Sequence, residues 1–531
     1  MGGRAGRHPT VLRTLFAGAL AGTLMAFLAS CGPAEGADDE DKLPVPHQSF
    51  VSRPDLAPPE VTITRHGEGA SAGHVFLTPK FRTDTPVDGA VIVDADGQLV
   101  WMRAVDGDEP GNNLFDFRVQ EYLGEPVLTM YQGTNDRGRG NGEVLILDET
   151  YTEIARVTTG GSLPPGHADF HDTTITGDGT MLIAAYEPVP ADLSSVGGPV
   201  DAYAEDAVIQ EVDIATGDVI FEWSALDHVP VAETMVDFRE KKAELEEEAE
   251  EAEEGEEFHA LGTEEKPFDY FHINSVTEDA DGALLVSARH TNAVYELDRA
   301  TGRVVWTLGG SASDFEMGEG AEFTWQHDAQ RSEDGTLTLL DNHAHGADDD
   351  ESSRGLRLAL DESAMTATVV TEYRPPQERI AGSQANAQEL PNGNMLIGWG
   401  QKPYYSEYTR DGEILYDACH GDDCRGDEFG GGGSSYRAYV FPWEGRPTDS
   451  PDVVVQDDDG ERTAYVSWNG ATEVAQWRLM AGENEASAAA RETVERISFE
   501  TAIPVPSDAS YVAVEALDGS GEVLGVATPD E

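Results

Sequence analysis

Positive charge is scarce in this chain. Lys and Arg total 34 against 101 Asp and Glu, a formal net charge of -67 over 531 residues. Such an excess excludes nucleic acid and anionic membrane surfaces as partners, because both would be repelled. It also means that any site for an anion must be locally cationic. Long apolar runs are nearly missing too. The one from Leu15 to Leu28 is too short and too close to the N-terminus for a comfortable transmembrane helix. No Gly-rich loop stands between a strand and a helix, which argues against a nucleotide cofactor. Cysteine is limited to three residues, and they fall into one plus two.

The single cysteine, Cys31, follows Arg4, Arg7, Arg13 and the apolar run. Leu28-Ala29-Ser30-Cys31 resembles the bacterial lipobox, whose cysteine is lipidated and becomes the new N-terminus; the bland reading is an ordinary signal peptide with a chance cysteine. Residues 1–31 are therefore expected to be a lipoprotein signal peptide. Residues 32–59, rich in Asp, Pro, Gly and Ala, are expected to be a flexible tether. The protein is then an exported lipoprotein on a bacterial cell surface, touching the membrane through its anchor alone. In that compartment Cys419 and Cys424 are expected to form a short-loop disulfide. Their spacing is not the C-x-x-C of a redox centre.

From residue 60 to 447 one pattern recurs: a strand, a turn opened by Asp and closed by Gly or a small residue, and another strand. Its copies are 91–102, 144–157, 208–223, 294–306, 357–370 and 406–418. Ahead of several lies a second hairpin, at 170–186, 271–289, 326–342 and 384–400. Each unit is thus four antiparallel strands at a period of about 50–65 residues. Six such units predict an all-β fold, a six-bladed β-propeller. An acidic stretch at 236–260, clearest over 238–257, interrupts one interval and reads as a helical insertion, polar all round. After residue 447 the pattern changes. Period-two strands with Trp468 and Trp477 predict a small fibronectin or Ig-like β-sandwich over 448–531.

Aligning the second hairpins on their turns brings three histidines into register. His171 lies seven residues before Asp178 and His327 seven before Asp334; His272 lies nine before Asp281, in a longer turn. The matching position of the next unit holds Ala385. Innermost strands of a propeller ring one mouth, so these imidazoles should converge there. Across each hairpin their partners fall near Tyr186, Arg289 and Asn342, and Asn274 lies beside them. Neutral imidazole is a nucleophile near neutral pH, and a second imidazole can exchange a proton with a phenol. Arginine and an amide suit the oxygens of a sulfuryl or phosphoryl group. Two alternatives use the same residues: a three-histidine metal site, opposed by the neighbouring Arg289, and a mouth that binds an anionic aromatic without turnover.

At these residues the chain resembles the arylsulfate sulfotransferases, the family that does without the nucleotide sulfate donor, and its actinobacterial and fungal-type branch in particular. The segments that carry the likeness are HADFHDTTITGDGTMLIAAY, DYFHINSV, SARHTNAVYELDRATGRVVWTLGG, FTWQHDAQ, LPNGNMLIGWG and YVSWNGATEVAQW. The resemblance implies a six-bladed propeller and a ping-pong transfer from an aryl sulfate donor to a phenolic acceptor, with no cofactor and no metal. By motif it implies that His327 is the nucleophile, that His272, Asn274 and Arg289 hold the sulfuryl group, and that His171 is acid–base. Tyr186 and Asn342 would complete the substrate pocket. The Cys419–Cys424 pair is similar to a short-loop disulfide of the family. Asp328 stands where the better-studied branch has an uncharged residue, and is expected to raise the imidazolium character of His327.

Overall fold

In a computed structural model the described residues are 45–529, apart from 82–86, 106–110, 137, 252–258, 280–281, 344–351, 422–423 and 425–431. The expected signal peptide and Cys31 lie outside them. The chain is all-β, with one helix of any length, Phe238–Glu251, among the described residues. No described helix is long and apolar enough to cross a membrane.

Six sheets follow one another, each built on four antiparallel strands, and three of them carry a fifth strand. The second sheet is Asn113–Tyr122, Glu125–Gly133, Gly142–Leu147 and Glu153–Val157, and the third is Thr173–Ile175, Thr180–Ala191, Ala202–Asp213 and Val219–Ser224. The fourth runs Ile273–Glu278, Leu284–Ala288, Ala293–Asp298, Arg303–Gly309, and the fifth His327–Arg331, Leu337–Asp341, Arg354–Asp361, Thr366–Tyr373. The sixth is Asn386–Glu389, Met395–Gly398, Tyr404–Tyr408 and Ile414–His420, with Val61–His66 added at its outer edge. The first sheet is completed from far along the chain. Gly432–Phe441 is its innermost strand, beside His74–Phe81, Gly89–Val93 and Leu99–Ala104. Innermost strands touch in cyclic order, from Gly432–Phe441 through the second to sixth sheets and back to Gly432–Phe441.

The recurring Asp explains the recurring hairpin. Asp94, Asp148, Asp213, Asp298 and Asp361 each accept, on one carboxylate oxygen, a backbone N–H two or three residues on, at 2.9–3.0 Å. That bond mimics a backbone turn and fixes the hairpin locally. Strands in the interior of a sheet are buried on both faces, as in Gly89–Val93, whereas edge strands on the outside alternate, as in Val219–Ser224. Each pair of consecutive sheets encloses its own apolar cluster: Leu128 and Leu145 with Ile92, Ile183 with Ile146, Ile209 with Tyr295, Leu308 with Leu339, Ile397 with Leu340, and Leu396 with Leu77. Every large side chain so buried contributes about 1.5–3 kcal/mol.

The first and second sheets depart from the repeat as read in the sequence. The inner hairpin of the second, Asn113–Gly133, turns at Leu123-Gly124 without the Asp-Gly signature, and the inner strand of the first belongs to the chain's later part. A further correction concerns the tether. Of the expected flexible stretch 32–59, residues 45–59 are packed: Val45 and Leu56 are buried, His47 bridges Pro59, and the Ser52 backbone and hydroxyl bond Glu500 at 2.6 and 2.5 Å.

Residues 452–527 form two further sheets, Asp452–Asp458, Glu461–Ser467, Thr501–Val505 and Ala489–Glu495, Gln476–Gly482, Tyr511–Leu517, Val523–Ala527. Trp468 and Trp477 are buried in their common core. Asn469 fixes this unit to the first sheet by accepting from the Met102 N–H and donating to its carbonyl, both at 2.9 Å. Cys419 and Cys424 are disulfide-bonded, with Cα atoms 5.6 Å apart.

The centre of the ring is polar. Arg437 of Gly432–Phe441 sends Nη1 to Asp172 at 2.9 Å and Asp116 at 3.2 Å, with Asp328 at 3.6 Å, and Nη2 to the Asn274 carbonyl at 2.9 Å. Removing one partner of a buried ionic cluster leaves the others unpaired. Arg437→Met is therefore expected to lower the unfolding free energy by about 3–5 kcal/mol, read as a lower urea midpoint.

Candidate active site

The histidines stand where inner strands begin, and the backbone there is bent to present them. His272, Trp325 and Asp328 have φ of 59°, 56° and 56°, and the pairing registers slip just beyond His272 and His327. Such a bulge re-aims a side chain out of the sheet, at a cost of order 1–3 kcal/mol per strained residue.

His171, His272 and Arg289 cluster with His327. The rings of His171 and His272 are 4.8 Å apart, edge to face. Each carries a carboxylate on Nδ1: Asp169 for His171, and Asp269 at 2.7 Å for His272. Phe170 stacks on His171 at 4.4 Å, and Tyr436 meets it edge-on at 5.7 Å. The Arg289 N–H bonds the His272 carbonyl at 2.9 Å, which realises the cross-strand pairing expected from the turn. The Arg289 guanidinium lies 3.8 Å over the Trp325 ring, bonds the Gly382 carbonyl at 3.0 Å, and reaches His290 Nε2 at 3.1 Å.

His327 is held in one tautomer. Its Nδ1 faces two acceptors, Asn342 Oδ1 at 2.7 Å and the Trp325 carbonyl at 3.1 Å, so Nδ1 carries the proton. Nε2 is then a lone pair, met at 3.1 Å by the N–H of Gln384. Burial and, next, the charge of Arg289 push its pKa well below the ordinary imidazole range; His171 and His272 add to this. Burial does the same to His272, against the pull of Asp269.

Three expected roles change. Asn342 does not face a substrate: its oxygen takes the His327 proton, and its amide hydrogens go to the Ala381 and Gln384 carbonyls at 2.7 and 3.0 Å. It orients His327. Tyr186 lies 6.2 Å from both the His171 and His272 rings, but its hydroxyl donates to the Ile273 carbonyl at 2.7 Å and joins the third sheet to the fourth. Asp328 does not raise the imidazolium character of His327. Side chains alternate along a strand, and Asp328 faces the axis, accepting from Ala387 N–H at 2.9 Å and Gln330 at 3.0 Å. Asn274 is beside the group, donating to the Gln326 carbonyl at 2.6 Å.

Asp169, Asp269, His290 and Gln384 escaped the sequence reading. A signal existed for the first two, a carboxylate two or three residues ahead of each histidine, as in Asp169-Phe170-His171 and Asp269-Tyr270-Phe271-His272. Coordinating distance is reached among the described residues by Asp269, His272 and His290, whose donor atoms lie within 4.8 Å of one another, and not by the three histidines of the metal alternative. Several of their ring and carboxylate atoms already serve hydrogen bonds: His272 Nδ1 to Asp269 Oδ2, His290 Nδ1 to the Asp269 carbonyl at 2.8 Å, and His290 Nε2 from Arg289. The neighbouring guanidinium opposes a cation. The arrangement offers a neutral nucleophile, two carboxylate-backed imidazoles and a guanidinium for an anion.

Residues 118–421, more than half of the chain, match the family model described as Arylsulfotransferase (ASST). No curated protein matches the chain. Solved structures with some likeness include a protein of unknown function from Bacteroides caccae, 12% identical over 70% of this chain and 99% of that one, with a TM-score of 0.38. Virginiamycin B lyase from Staphylococcus aureus is 10% identical over 79% of this chain and 94% of that one, TM-score 0.34. Periplasmic gluconolactonase from Pseudomonas aeruginosa is 12% identical over 82% of this chain and 100% of that one, TM-score 0.33. Likenesses this slight carry no argument.

In an NMR titration of 15N-histidine-labelled protein, His327 is expected to stay neutral, with its proton on Nδ1, well below the ordinary imidazole range of about pH 6.5. A His327 that becomes charged within that range would contradict this geometry.

Proposed function

The chain belongs to the arylsulfotransferase family, enzymes of small-molecule aryl sulfates and phenols, and from that premise we propose a ping-pong transfer through a sulfohistidine on His327. The Nε2 lone pair of His327 attacks sulfur, the S–O bond to the aryl group breaks, and an S–N bond forms. The departing phenolate takes a proton from His171, which the Asp169 carboxylate supports as imidazolium. An acceptor phenol returns that proton to His171 and takes the sulfuryl group from His327. Arg289 and His272 hold the sulfuryl oxygens in both halves, and the Gln384 N–H that meets Nε2 lies next to where those oxygens arrive. The observation that carries this reading is the fixed tautomer of His327: a neutral, buried imidazole with Nδ1 bonded to Asn342 and its Nε2 lone pair, met by the Gln384 N–H, under the influence of the Arg289 guanidinium.

The same proposal takes the six cyclically touching sheets as a six-bladed propeller over 60–447 and the sheets of 448–531 as an Ig-like sandwich. It keeps Cys31 as a lipid anchor holding the enzyme at the outer surface of a bacterial cell, supported by the sequence around Leu28 to Cys31.

Incubation with a chromogenic aryl sulfate is expected to leave one sulfuryl group on His327 in intact-mass and peptide analysis, with release of one phenol, and neither in His327→Asn. Absence of both adduct and phenol release in the native enzyme overturns the reading. Because the donor is an anion approaching a chain of net charge -67, kcat/KM for the donor should rise as salt screens the field, while that for a neutral phenol should stay level.

A further inference from the structure

Asp269 sits at the end of a two-residue strand, Phe268–Asp269, that lies parallel to Ala204–Glu205. It touches His272 directly and reaches Arg289, the other group assigned to the sulfuryl oxygens, through His290. Its carboxylate accepts from His272 Nδ1 at 2.7 Å. Its main-chain carbonyl accepts from His290 Nδ1 at 2.8 Å, with Oδ1 a further 3.4 Å contact of the same nitrogen. A carbonyl only accepts, so His290 carries its proton on Nδ1 and presents a lone pair at Nε2. That lone pair takes the N–H of Arg289 at 3.1 Å. The His272 and His290 rings lie 4.7 Å apart, and Trp325 packs both His290, at 5.0 Å, and Arg289.

We propose that Asp269 is a positioning residue of the transfer site, fixing His272 directly and Arg289 through His290. The inference rests on the sulfuryl-transfer reading. With its proton on Nδ1, neutral His272 would turn a lone pair toward the sulfuryl oxygens, which repel it. To hold them His272 must take a second proton, at Nε2, together with the anion. The Asp269 carboxylate is the charge that supports the imidazolium at that moment. Burial raises the Asp269 carboxyl, and the facing His290 and His272 more than offset this, leaving it well below the usual carboxylate range. Other charged or titratable groups face this cluster from neighbouring elements. Arg139, in the loop ahead of Gly142–Leu147, lies 3.4 Å from Asp269 Oδ2 and pairs with Glu205 of Ala202–Asp213. His171 with Asp169, and Tyr186, close the third side.

Single-turnover formation of the His327 adduct, followed against pH with a chromogenic aryl sulfate, tests the proposal. Asp269→Asn keeps size and removes charge. It is expected to slow adduct formation about 100-fold, the scale of a misplaced reacting group, and to displace the pH profile to lower pH, because an unsupported imidazolium forms only in more acid. His290→Gln breaks the link from Asp269 to Arg289 and leaves the Asp269 carboxylate on His272. It is expected to raise the donor KM about tenfold, roughly the loss of one good hydrogen bond to a charged group, with the pH profile unmoved. Wild-type rate and pH profile in Asp269→Asn overturn the proposal and leave sulfuryl transfer standing. Should that variant not fold, an unchanged donor KM in His290→Gln overturns it. A native enzyme that forms no adduct removes the transfer reading instead.

Discussion

One guanidinium joins the parts of this molecule. Arg437 reaches Asp116 of the second sheet, Asp172 just ahead of the third sheet's first strand, the Asn274 carbonyl of the fourth and Asp328 of the fifth, from a strand that itself completes the first. Arg118 adds a second cation, 2.9 Å from Asp172 and 3.5 Å from Asp116. Buried charges of this kind are costly to desolvate and need near-complete pairing. Their return here is geometric: four inner strands are tied at one height, immediately beneath the residues that line the pocket. Asp172 follows His171, and Asp328 follows His327. The histidines therefore have their height and aim fixed by neighbours that point to the axis.

Much of this fold was legible because its turns are local. The Asp that opens five of the six outer hairpins bonds its own backbone within three residues, so a short window of sequence contains the whole cause. What could not be read was non-local. Nothing near Gly432–Phe441 announces that it pairs with His74–Phe81, more than three hundred residues away. The Pro-rich stretch 45–59 looked free because composition does not reveal that Ser52 meets Glu500 and Arg53 meets Asp452. In the second sheet the hairpin signal was missing because Leu123, at φ 54°, occupies a place that the other copies give to Asp or Asn beside Gly.

The site divides in the same way. Register within a repeat places His171, His272 and His327 at one end, and cross-strand pairing adds Arg289. These follow from period-two geometry alone. Roles that depend on which atom meets which atom did not follow. Asn342 looked like a substrate contact and is a clamp on His327; Asp328 looked like a neighbour of the imidazole and faces the opposite way. Asp169 and Asp269 were visible as letters, but a carboxylate two or three residues from a histidine reaches its Nδ1 only when the backbone between them curls, which spacing alone does not reveal.

Completion of the first sheet by Gly432–Phe441 sets an order of events during biosynthesis. Tyr436, against His171, and Arg437, beneath all the pocket, arrive after every other inner strand has emerged. A nascent chain holding the three histidines would still lack a wall and the axial tie, so competence comes late, in one step, as the circle closes. The enzyme is thereby silent while its polypeptide is still being made.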